Sequence, residues 1–544
     1  MRSYFLPVFI LSFLLTICSC KKTEKLDASE TDELGKVHFP TTGSPEAQDH
    51  FKTGVLLLHS FEYEDARTAF KMAKEADPNH AMSYWGEAMT YNHTLWQRQQ
   101  KDKALKVLEE LGKTPEERLA KVKTELEKEI FRGIEILYGQ GTKYERDVAY
   151  SNYMEELREK YPDNHEISAF YAVSLLGASR NGRDDKLYGN SARIAQSIID
   201  ENPNHPGALH YLIHSYDDPE HAHLAKDVAD SYSKVAPDAA HALHMPSHIY
   251  VALGAWEDVV TSNIASWNAS VRRMEKKNLD GDAKSYHAFR WLHYGLLQRG
   301  EIDAGQQLLD LMVEYVDEVS SKRARGYLLG MKGAQMVASN DYAGKNTEII
   351  VDTDDMNITA RGANALQAGL ISYHEKDVET LETIIKELSK DRIKNAEKVG
   401  EKGFAMCNAA GYNSRLPSQL DVDMVHIMEL ELKALLADLN GESEAVKEFY
   451  ENGIALDATL SYSYGPPTIV KPIQEAYGEW LLQNENYNEA VRAFDLSLKR
   501  NPRRLRSLQG KMKAIEQLAD ETVLAELQKE LDKSLESKQW EAVL

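Results

Sequence analysis

The sequence predicts an all-α protein, a solenoid of stacked helix pairs, and three observations carry that expectation. Apolar residues recur at spacings of three and four rather than two, which is the period of an amphipathic helix. Prolines end a pattern that returns every 34 residues, as at Pro203 and Pro237, and a fixed period of this size marks a stacked array. No stretch shows the strict alternation of a convincing strand. The chain has 544 residues, more than one hydrophobic core supports, so an extended array or several domains is required.

Taken in order, the chain opens with "MRSYFLPVFILSFLLTICSC". A basic start at Arg2, an apolar run from Phe5 to Ile17 and small residues before Cys20 give the layout of a secretory signal over 1–19. The run is too short for a transmembrane helix. "ICSC" resembles the lipobox of bacterial lipoproteins, which implies an acylated Cys20; a plain signal with an incidental cysteine is the alternative. Residues 20–45 then read as a lipidated cysteine and a flexible polar tether. The expected location is the cell envelope, as an exported lipoprotein of the outer membrane facing periplasm or surface. Cys18 leaves with the signal, so Cys407 has no partner for an intramolecular disulfide and packing must hold the fold.

The repeat array spans 46–516, clearest at 47–113, 170–270 and 471–504, and a C-terminal helix follows over 517–544. Near the start, Gly54, Tyr63, Ala66, Phe70, Ala73 and Pro78 are spaced 9, 3, 4, 3 and 5; near the end Gly478, Tyr487, Ala490, Phe494, Ser497 and Pro502 repeat those offsets. A small residue lets two helices approach, the Tyr, Ala and Phe fill the gap, and proline ends the second helix. Longer inserted helices are expected around Lys101 to Tyr138, with irregular loops at "GYNSRLPSQLD" and "SYSYGPPTIVKP".

These two units resemble the tetratricopeptide repeat. The resemblance implies a right-handed α-solenoid of TPR-like helix pairs with a concave groove lined by repeat positions 2, 5, 9, 12 and 13. "MSYWGEAMTYNHTLW", "HALHMPSHIYVALGAW" and "YGPPTIVKP" also resemble a group of large bacterial tetratricopeptide proteins, a similarity that spans most of the mature chain and implies no reaction.

The formal charge of −22 repels phosphate backbones, which excludes nucleic acid as an expected partner. Histidine is the informative residue. Ten of the 18 histidines lie between His205 and His293, where the chain average would place about three. His210 and His214 take repeat positions 5 and 9; 34 residues on, His244 and His248 take the same positions, with His241 at position 2. Residues at i and i+4 share a helix face, so the two pairs are in register.

Paired imidazoles on adjacent helices can build a transition-metal site for Zn, Fe, Ni or Cu, and the residue types do not choose among them. His59 and His93 fall at position 13, and Asp217 and Asp218 at 12 and 13, so they are expected to line the groove. Against the metal stands ordinary use of histidine in a peptide-binding groove, and Asp218 before Pro219 is also a usual helix start. His221, His223, His287 and His293 lack a partner at the same repeat position. Pro246 must either start the helix or kink it.

Other features carry less: tryptophans at helical spacing, the basic run "RNPRRLRS", and Cys407 among small apolar residues. Two functional classes follow. One is a membrane-anchored scaffold that holds a protein, a peptide or a small ligand in its groove and needs no cofactor. The other is a metal-binding protein or metalloenzyme, with a divalent transition metal as cofactor.

Overall fold

The computed structural model describes residues 33–179, 182–399 and 416–535. Through them the chain forms an all-α solenoid in which each helix packs on the next. The repeat signature is visible as packing. The ring of Phe70 lies against both Gly54 and Gly86, where an added Cβ would come within 2.6 and 2.3 Å of it. Phe494 is held in the same way between Gly478 and Gly510, at 2.8 and 2.3 Å. Three successive helices therefore share one aromatic wedge, and only glycine admits it at those distances.

The inserted helices run Lys101–Leu111, Pro115–Lys121 and Glu125–Leu137. The last begins with a capping box between Thr124 and Glu127. A departure from the all-helical expectation is a two-residue hairpin, Asn92–His93 against Arg98–Gln99. Helix Ala81–Met89 stops short and Gln97 takes a left-handed backbone, so the chain turns back before the next helix. The C-terminal segment is also divided: helix Leu505–Leu518 ends at Ala519, φ +57°, and Glu521–Leu535 follows.

The tether expected over 20–45 is corrected in its second half. Leu34 is buried, Lys36 donates its backbone N–H to the Asn204 carbonyl at 2.8 Å, and Phe39 packs edge-on against Phe51 and Trp85. Scattered apolar residues in a polar stretch gave no periodicity to reveal this docking. The signal segment 1–19, Cys20, Cys407 and the first five residues of "GYNSRLPSQLD" lie outside the described residues. Among the described residues no helix is long and apolar enough to cross a membrane.

Distant parts of the array touch. The turn after helix Pro45–His59 meets the middle repeats: Glu62 accepts the backbone N–H of His241 at 2.9 Å, and Arg273 makes two bonds to Asp65 at 2.7 and 2.9 Å. At the other end, Arg504 donates to Tyr294 and Trp256 donates its indole N–H to the Arg503 carbonyl. The loop "SYSYGPP" also reaches back, with the Tyr464 hydroxyl 3.3 Å from that of Tyr188. These contacts cover the helix faces that an open groove would have exposed.

One buried group gives the fold a pH dependence. Glu431 is fully buried in helix Gln419–Leu439, and neither carboxyl oxygen has a hydrogen-bond partner among the described residues. Burial pushes its pKa up to about 8, with Lys471 opposing. The folded state therefore keeps its proton while the unfolded chain, with an ordinary glutamate, releases it. Stability from this group is full below about pH 4.5 and is lost as pH rises toward 8. Glu431→Gln is expected to flatten that slope and raise the unfolding free energy at pH 8, by an amount on the order of a few kcal/mol. Thermal unfolding at pH 5 and pH 8 checks it; an unchanged difference between the two pH values would refute it.

Candidate metal centre

Helix Pro206–Tyr216 carries His210 and His214 one turn apart, with ring centroids separated by 4.9 Å. His244 ends the short helix Ala240–His244, and Pro246 opens the next, Pro246–Leu253, at N1. Proline at N1 gives up an N–H that has no intrahelical partner anyway. Met245 between them stays helical at φ −54° and ψ −38°, so His244 and His248 keep a common face with rings 5.1 Å apart. The helix is thus interrupted at Pro246 while the i, i+4 relation survives.

The two pairs and His241 close into a ring of imidazoles. His210 to His241 is 5.2 Å, His241 to His244 is 6.0 Å, and His214 to His248 is 5.3 Å. His287, on helix Tyr286–Gln298, adds a sixth, 4.5 Å from His244.

The expectation that these side chains face an open groove is corrected. His210 and His214 are 0 % exposed, His244 1 % and His248 2 %. Phe61 lies over the cluster, 4.3 Å from the His210 ring, and Trp291 covers the other side at 4.7 and 4.6 Å from His244 and His248. Trp291 is in turn braced by Gly465, φ +144°, where an added Cβ would come within 2.3 Å of the indole. The first repeat and the "SYSYGPP" loop fill the space that a simple stack of repeats leaves open. His241 alone of the five expected ligands is half-buried.

Each Nδ1 anchor can be read chemically. His210 Nδ1 lies 2.7 Å from the His59 carbonyl, which only accepts, so that nitrogen carries the proton. His214 and His248 place Nδ1 at 3.0 and 3.2 Å from one oxygen, Asp217 Oδ2. His244 Nδ1 donates to Asn263 Oδ1 at 2.7 Å; the Asn263 amide nitrogen is committed to the Val259 carbonyl, which fixes the orientation. In each of these rings the remaining lone pair sits on Nε2. The Nε2 atoms of His210, His214, His241 and His244 are buried and have no hydrogen-bond partner among the described residues.

Electrostatics deepen the demand. Burial pushes the pKa values of His210, His241 and His244 well below the ordinary imidazole value, and that of His214 down. The rings are neutral at pH 7. Asp217 is fully buried, with Oδ1 unpartnered among the described residues, and its carboxyl is held below the usual range by the histidines it accepts from, against the upward push of burial. A buried carboxylate beside neutral imidazoles is an uncompensated charge. Converging lone pairs and a buried anion are both satisfied by a cation. Imidazole nitrogens held by a partner on the opposite nitrogen, as in His210, His214 and His244, are the donor arrangement that transition ions take.

The remaining expected residues act around this core. His59 is fully buried, not groove-lining: Nε2 faces Glu166 at 2.8 Å and Nδ1 faces the Tyr211 hydroxyl at 2.8 Å. Glu166 also faces His205 at 3.3 Å, and these imidazoles, with His205 foremost, outweigh burial and lower its pKa. His93 falls in the hairpin rather than at a helical groove position, and its ring stacks on Tyr63 at 4.1 Å. Asp217 is corrected from groove residue to buried anchor.

Asp218 is 6 % exposed; it caps the turn to His221 and pairs with Arg183 at 2.8 Å. His293 bonds Gln335 at 3.1 Å, and His223 is exposed, so neither joins the ring.

Neither a family model nor a curated protein matches the sequence. Solved structures that align with it include yeast Tom70, at 11 % identity and TM-score 0.32, covering 89 % of this chain and 99 % of that one. The Cut9–Hcn1 hetero-tetramer of the APC/C aligns at 11 % identity and TM-score 0.32, with 88 % and 78 % covered. Human IFIT1 aligns at 15 % identity and TM-score 0.31, with 80 % and 96 % covered. At that distance the fold assignment rests on the helix pairs themselves.

Proposed function

We propose that this chain is a transition-metal-binding protein whose solenoid frames a buried polyhistidine centre, and that an acylated Cys20 tethers it to the cell envelope. The single observation that carries the metal reading is the set of four buried Nε2 atoms, on His210, His214, His241 and His244, without partners among the described residues in a cluster whose imidazoles group within ligand distance. Each unmet buried acceptor costs about 1–3 kcal/mol. Bound metal removes that cost and turns the same atoms into ligands. Zn, Fe, Ni and Cu all accept imidazole nitrogen. Three protein ligands around an ion leave a coordination position for an exogenous group, which is the arrangement of catalytic rather than structural sites.

Metal analysis of the purified mature chain tests the reading against the double variant His210→Ala, His214→Ala. Stoichiometric metal in the parent and less of it in the folded variant are expected. Equal metal content in both would end the proposal.

A second reading, a scaffold for a protein, peptide or small ligand, is favoured by a different place. A cavity of about 350 Å³ between the C-terminal repeats is lined by Tyr373, His374, Trp480, Lys471, Glu479 and Arg506. It offers aromatic faces and both signs of charge, as a peptide-binding surface needs. Arg506→Glu would weaken such binding and leave the metal content unchanged.

A further inference from the structure

The six imidazoles divide into two sets. Ligand atoms of His210, His214 and His241 all lie within 4.8 Å of one another, and so do those of His244, His248 and His287. An ion bound at about 2.1 Å reaches nitrogens no more than about 4.2 Å apart, so each trio is close to a three-nitrogen site and six rings exceed what one tetrahedral ion uses. From these trios we infer that the centre is dinuclear, one ion on His210, His214 and His241 and a second on His244, His248 and His287. This rests on the metal reading above and adds the second ion and its ligands.

Three features of the fold support the pair. Asp217 Oδ2 takes one histidine from each trio, His214 at 3.0 Å and His248 at 3.2 Å. Those distances are hydrogen bonds, too long for metal bonds, so Asp217 ties the two sets together from their outer side and places one negative charge between them. The trios are also joined through the backbone, since His241 and His244 stand three residues apart on the same short helix. Finally, in the other acid–histidine cluster of the interior, His59, Glu166 and His205, the His205 lone pair is already committed to the backbone. His205 Nδ1 accepts the Ala208 N–H, so its lone pair is used and its Nε2 lies 3.3 Å from Glu166 Oε1, while His59 presents its own Nε2 to the same carboxylate. That cluster props the His59 carbonyl that orients His210.

The donor set suggests the probe. All six ligands are imidazoles, a set that copper accepts strongly in the divalent series. The full-length mature chain, freed of metal by a chelator, is titrated with Cu(II) in the presence of a competing weak chelator that strips exposed histidines. Two Cu(II) per chain are expected in the parent, and one each in His241→Ala and in His287→Ala. Electron paramagnetic resonance gives an independent reading: neighbouring Cu(II) ions couple, so the parent's integrated signal should fall well below its copper content. The single-ion variants should account for all of theirs.

Circular dichroism confirms that each variant is folded, and the parent's own stoichiometry and spin count do not depend on them. One Cu(II) per parent chain with a full spin count, unchanged by His287→Ala, overturns the second ion and leaves the metal reading standing. No Cu(II) retained by the parent overturns both.

Discussion

Chelation is expected to lower the unfolding midpoint of the mature chain by several degrees, and reloading with the native ion to restore it. The apo interior holds a buried Asp217 carboxylate, neutral imidazoles and four Nε2 atoms without partners among the described residues. The unfolded chain presents all of these to water, so the folded state alone gains from the ion. At free metal about 1,000 times the dissociation constant, the added stability is about 4.1 kcal/mol. Scanning calorimetry of chelated and reloaded protein measures it. Superimposable transitions would mean that the cluster is satisfied by other means.

Asp217→Asn carries the second large effect. Asn can still accept through one oxygen, so the rings of His214 and His248 keep a partner and the chain should fold. The negative charge that raises the basicity of both imidazoles is lost, and metal affinity should fall by about 10- to 100-fold. Asp217→Ala should do more, because it strands two buried N–H donors at about 1–3 kcal/mol each. Competition titrations against a chelator of known affinity separate the cases. Unchanged affinity in a folded Asp217→Asn protein would reduce Asp217 to a structural role.

The sequence made the repeat and half of the centre legible. Gly54, Phe70, Gly478 and Phe494 stand at fixed offsets because the wedge they form needs those spacings, and spacing is what a sequence displays. The pairing of His210 and His214 with His244 and His248 was legible for the same reason. Their exposure was not. It depends on Phe61 and on the "SYSYGPP" loop, both far away in sequence and brought over the rings only by tertiary docking.

His287 was hidden by a break in period. Helix Trp256–Lys276 is 21 residues long and a turn at Gly281–Ala283 follows, so the next histidine arrives 43 residues after His244 instead of 34. The anchors Asn263 and Glu166 carry no local signature, since Asn263 meets His244, and Glu166 meets His59 and His205, only through contacts between separate elements. His93 slipped from its helical position because Ala81–Met89 ends early, a boundary that repeat counting cannot see.

X-ray absorption at the edge of the bound metal addresses the central claim most directly, because it reads the atoms around the ion. Imidazole coordination predicts a first shell of three or four nitrogen or oxygen scatterers at about 2.0–2.1 Å, with the outer-shell pattern of histidine rings. The amount of metal giving that pattern should fall in the His210→Ala, His214→Ala variant, which removes two ligands of one trio. A first shell of sulfur, or of oxygen with no ring scattering, would place the ion elsewhere and contradict the assignment of these histidines.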